Sequence, residues 1–197
     1  MIDSYDVVSR VAAGLGVTAV PAPMTRASGD GAKKIGMVEV PDCPQTGVTA
    51  WATVAASFFP SGYRTRDGRP IGVEFVAGLD SRWTLLGDAV AACAFQIGEP
   101  NEVRPGTVYR SAIGNCYPQA STPHLMSVPP FLWNSFESYS DADVHVTWLQ
   151  LVPVTQEEAA HCLAHGFDAL GDVFAREQPD LYSIERQSVR LTPRPRT

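Results

Sequence analysis

His145-Val146-Thr147-Trp148-Leu149-Gln150-Leu151-Val152-Pro153-Val154 runs directly into Thr155-Gln156-Glu157-Glu158. The first ten residues read as a buried strand stopped by proline, and the next four as the start of a helix. At that start the Thr155 side chain can accept from the Glu158 backbone N–H while the Glu158 carboxylate reaches back to Thr155, a capping box. A strand delivered into so defined a helix start fixes architecture. It places no nucleophile, metal or phosphate cradle.

Working outward, the spacing predicts two helices, 155–164 and about 167–177, separated by Gly166. Upstream, Val7, Val8, Val11, Ala12 and Leu15 recur at helical spacing behind a cap at Ser4 or Asp3, and Gly14 and Gly16 end that helix. Residues 17–23 read as a short extended segment and 27–34 as a polar loop. Strands are predicted at 35–40, 48–59 and 71–76, the last with Ile71, Val73 and Phe75 on one face and Glu74 on the other. Ser81-Arg82-Trp83-Thr84 opens what reads as the longest helix, running to Gly98. Short strands are expected at 108–113 and 125–128 within an irregular, proline-rich middle. Strands and helices mix without strict alternation, so the expected class is α+β, a mixed, largely antiparallel sheet with helices packed on it.

The chain has 197 residues, 45% of them hydrophobic, enough for one sizeable core. We expect a single domain over residues 1–190 and an Arg/Pro-rich tail at 191–197. A net charge of -6 argues against nonspecific nucleic-acid binding, which asks for clustered cations. The four cysteines form no CxxC pair, the N-terminus carries no signal-peptide pattern, and no apolar run is long enough to span a membrane. The expected setting is cytoplasmic and reducing.

Motifs that could carry chemistry fail on context. Gly14-Leu15-Gly16-Val17-Thr18-Ala19 matches a dinucleotide fingerprint only in letters, because it ends a helix instead of opening one. The glycines near Lys33 and Lys34 lack P-loop spacing, and no G-x-S-x-G elbow exists. His161 and His165 stand four apart on a helix and could chelate a metal, with Asp168 as a third ligand, but the residues between them supply no general base. Cys162 and His161 are adjacent and do not face each other. Glu157 and Glu158 answer the helix dipole. Arg64, Arg66 and Arg69 form a small basic loop that reads as solvated. The aromatic stretch with Tyr109, Tyr117, Phe131, Trp133, Phe136 and Tyr139 is the recognition candidate, since aromatics supply large contact area at low entropy cost.

Three blocks carry a resemblance. The first is Ile71-Gly72-Val73-Glu74-Phe75-Val76-Ala77 with the Trp83 helix that follows. The second is the loop-rich segment 106–130. The third is 146–158 followed by Gly166-Phe167-Asp168-Ala169-Leu170, closed by Ile184-Glu185-Arg186-Gln187-Ser188-Val189. In this order they make the chain resemble a bacterial member of the suppressor-of-fused domain family over residues 35–190. It departs at Gly114-Asn115, where the family usually carries Gly-His.

The resemblance implies a domain without catalysis or cofactor that binds partner proteins. In bacteria, it implies an immunity protein neutralising a cognate toxin, and an acidic chain suits a basic toxin. Tyr117, His124, Phe131 and Trp133 are the expected partner contacts. The competing expectation is a metal-dependent hydrolase using His161 and His165.

Overall fold

The computed structural model describes residues 4–98, 103–133 and 135–191. The Asp3 cap and all but Leu191 of the expected 191–197 tail lie outside them. Among the described residues eight strands form one sheet: β1 (Met24–Ala27), β2 (Lys34–Val40), β3 (Val48–Val54), β4 (Ile71–Asp80), β5 (Val108–Tyr109), β6 (His124–Val128), β7 (Tyr139–Ser140) and β8 (His145–Val154). Their order is β1-β2-β3-β4-β8-β6-β5, with β7 paired to the outer part of β8. Only β4 and β8 run parallel, Ile71 opposite His145 and Val76 opposite Gln150. The sheet is therefore mixed and largely antiparallel, and the class is α+β.

Both faces are covered at the centre, which explains why β4 is buried through its interior on both alternating sets of side chains. On one face α2 (Leu86–Phe95) sets Leu86, Val90 and Cys93 against Phe75, Leu79 and Leu151. On the other, α1 (Ser4–Leu15) lays Val7, Val11 and Leu15 on Val38, Ala52, Val76 and Trp148. A third cluster joins β6 and β8 to α3 (Gln156–His165) and α4 (Phe167–Glu177) through Met126, Val152, Ala159, Leu170 and Val173. The four cysteines are free thiols.

Several elements differ from the sequence expectation. The helix expected from Ser81 begins only at Leu86, because Asp80 takes the Arg82 backbone N–H and turns the chain first. Its ten residues make it shorter than the twelve of α1. Gly87 is required there: a Cβ would meet the Trp51 ring at 2.5 Å. The strand expected over 48–59 stops at Val54, where Ala55 turns left-handed (φ 76°) into a 3-10 turn, Ala56–Phe58. The strand expected over 108–113 ends at Tyr109, because Ser111 is also left-handed (φ 56°). β1 falls where an extended segment passes into the expected polar loop; three exposed residues and the half-buried Arg26 carry no apolar alternation to betray a strand.

Candidate functional site

The left-handed Ala55 is a costly conformation for a residue with a Cβ. Glu74, in the middle of β4, holds it. Its carboxylate accepts from the Thr53 hydroxyl at 2.5 Å, the Ser57 hydroxyl at 2.7 Å, and the backbone N–H groups of Ser57 at 3.0 Å and Ala56 at 3.3 Å. Four donors favour the ionised form, but complete burial outweighs them and pushes the Glu74 carboxyl up to about 7.

The turn so fixed presents Phe58, half exposed, as one wall of a groove of about 680 Å³. Phe59, Pro60, Tyr63, Pro70 and Ile71 continue its apolar lining. The basic 60–70 loop that forms its rim is a tight hairpin. Thr65 N–H donates to the Arg69 carbonyl at 2.9 Å, Ile71 N–H to the Tyr63 carbonyl at 2.9 Å, and the Ser61 hydroxyl to the Ile71 carbonyl. Tyr63, Arg64 and Ile71 also line a second groove of about 440 Å³, whose other walls include Val73, Pro105, Pro129, Pro130 and Leu149. The hairpin is thus a ridge between two apolar depressions.

The four expected contact residues do not converge. Tyr117 is half-buried, stacked edge-on against Trp83 with ring centroids 5.1 Å apart, and its hydroxyl accepts from the Leu85 N–H at 2.8 Å. His124 is buried beneath the start of α3. Its Nδ1 accepts from the Ser111 N–H at 2.9 Å, which places the ring proton on Nε2, 2.7 Å from Gln156 Oε1. Trp133 is buried over Gly78 and packs edge-on against Phe136. Phe131 alone is an exposed side chain, at 52%. Its backbone is held, because the side-chain Oε1 of the buried Gln150 accepts the N–H groups of both Phe131 (3.0 Å) and Leu132 (3.2 Å).

The capping box forms as the spacing predicts. What the spacing does not reveal is its use as a latch. Arg186 donates to both oxygens of the fully buried Glu158, and Ser188 and Val189 bond to Thr155 and Glu158. The His161 and His165 rings lie against each other, tilted by 48° with centroids 4.6 Å apart. Among the described residues, however, no three His, Cys, Asp or Glu side chains lie close enough to hold a metal ion. No role followed from the sequence for Gln150 or for Glu74, although Glu74 stands in a strand that carries the resemblance, and the grooves were not legible in it. A lone glutamine in an apolar strand was the available signal for the first.

The suppressor of fused protein family model matches residues 31–187. Immunity protein YqcF of Bacillus subtilis (strain 168) is 32% identical over 157 residues, 79% of this chain and 81% of that protein. Among solved structures, a suppressor of fused homologue from Neisseria gonorrhoeae FA 1090 superposes with a TM-score of 0.65 at 16% identity, covering 96% of each chain. A chain of the Sufu–Fu complex matches with a TM-score of 0.63 at 11% identity, covering 93% of this chain and 91% of that one. At such identities the structures speak for the fold, and the sequence matches speak for descent. The chain belongs to the suppressor of fused family.

Proposed function

We propose that this chain is a non-catalytic, cytoplasmic immunity-type protein that binds a toxin protein and blocks it sterically. The observation that carries this reading is the 32% identity to a relative named an immunity protein, over four-fifths of each chain. The surface supports it: the scaffold exposes Phe58 in the wall of one apolar groove, and Phe131 directly after the Pro130 that lines the other, as a preformed interface requires. The Sufu–Fu complex places a protein partner on a chain of the same fold. Of the expected contacts, Phe131 is the one poised to touch a partner. Trp133, His124 and Tyr117 act from beneath, by fixing the segments that carry the surface.

A net charge of -6 would speed encounter with a basic toxin through long-range attraction, an effect that salt screens. The test is purification of the tagged chain together with the product of its neighbouring gene, that product being inactivated so that it can be expressed. A stoichiometric complex that withstands gel filtration supports the reading. Separate elution at micromolar concentrations of both would refute it.

A further inference from the structure

The ridge between the two grooves inverts the charge of the molecule. The chain as a whole is acidic, yet the charged side chains lining the smaller groove are both arginines, Arg64 and Arg104, while the larger groove is lined by Arg64 and a single carboxylate, Asp143. Arg64 is exposed, lines both grooves, and spends only one donor, Nη1 to the Gly68 carbonyl of its own hairpin at 2.7 Å. Arg66, exposed at the hairpin tip, has no ion-pair or hydrogen-bond partner among the described residues. Arg69 differs: Asp67 neutralises it at 2.8 Å. Two guanidiniums without carboxylates therefore stand on a rigid ridge with apolar wells on either side.

Such a ridge fits one kind of occupant. An extended chain repeats every two residues, so side chains of one set can enter the wells while the backbone crosses the ridge. A carboxylate on that chain would meet Arg64 in the two-pronged geometry that guanidinium and carboxylate share. We propose that the 60–70 hairpin receives an extended segment of the partner protein in which apolar residues flank an acidic one. The proposal rests on the protein-binding reading above and names the part of the partner that is read. Global negative charge draws a basic partner in. The local positive ridge then selects an acidic segment within it and sets its register.

The experiment measures binding of the inactivated neighbouring gene product to the full chain by titration calorimetry. The variants are the Arg64→Glu/Arg66→Glu double variant, Phe58→Ala, and Asp172→Arg on α4 as a control away from the ridge. The arginine variant should weaken binding by at least about tenfold and Asp172→Arg should not. Both arginines are exposed, so the melting temperature should stay that of the wild type. Peptides tiled along the partner should then include one acidic–apolar segment that binds the wild type and not the double variant.

If the double variant binds the partner like the wild type, the ridge proposal is overturned while the protein-binding reading stands. If the wild type does not bind the partner at all, both fall. Retention of a basic segment by the ridge overturns the proposal. So does sedimentation with phosphatidylglycerol vesicles that the double variant loses, which would reassign the ridge to a lipid surface.

Discussion

Arg186 and Glu158, 28 residues apart, meet in a buried two-pronged ion pair, Nη1 to Oε1 at 2.6 Å and Nη2 to Oε2 at 2.7 Å. The same guanidinium reaches the Pro153 carbonyl at 2.9 Å. One side chain thus ties the C-terminal segment to the end of β8 and the start of α3. Glu158 is fully buried, so it needs every one of these donors.

Removing the arginine should therefore cost more than the loss of its packing alone. Arg186→Met is expected to lower stability by about 3–5 kcal/mol, since it strands a buried carboxylate. Urea denaturation measures it. Adding Glu158→Gln to that variant should recover part of the loss, because the stranded charge is then gone.

Glu74 gives the protein a pH signature. Its folded-state carboxyl lies at about 7 against an ordinary 4.5, so the folded chain holds this proton more tightly than the unfolded one. The stability it contributes is complete below pH 4.5 and is lost as the pH rises to about 7, at a slope of at most about 1.4 kcal/mol per pH unit. Denaturation of the wild type and of Glu74→Gln across this window isolates the effect. The difference between them should shift with pH inside the window and level off above it.

Burial separates two neighbouring aromatics. Trp133→Ala should cost about 3–5 kcal/mol of stability by opening a cavity over Gly78. Phe131→Ala should leave stability within about 0.5 kcal/mol and weaken partner binding. Thermal melts paired with calorimetry distinguish the two.

The histidine pair is expected to be dispensable. His161→Ala/His165→Ala should fold and bind its partner as the wild type does, and the wild type dialysed against zinc should retain well under one ion per chain. One zinc per chain, held through gel filtration, would reopen the hydrolase reading.

What the sequence revealed was local. The capping box is two residues three apart, and the apolar run of β8 from Trp148 to Val154 is broken only by Gln150, so both could be read directly. The latch could not: Arg186 was visible as part of a familiar closing segment, but nothing nearby pairs it with Glu158. The grooves were hidden for the same reason, since they need β4 and β8 to lie parallel and bring the 60–70 hairpin beside residues 103–105 and 129–130. Aromatic content suggested a surface at Tyr117 and Trp133 that the fold uses as packing, because Gly78 leaves room for one and Trp83 stacks on the other. Gly87 against Trp51 is a further case: no pattern within either segment announces that contact.

The most direct test of the account is survival. The product of the neighbouring gene is expressed in a sensitive host with and without this chain. We predict that it halts growth alone and that co-expression of the wild-type chain restores it, through a complex that can be isolated from the rescued cells. If the neighbour halts growth and the chain neither rescues the host nor associates with the toxin, the immunity account is contradicted.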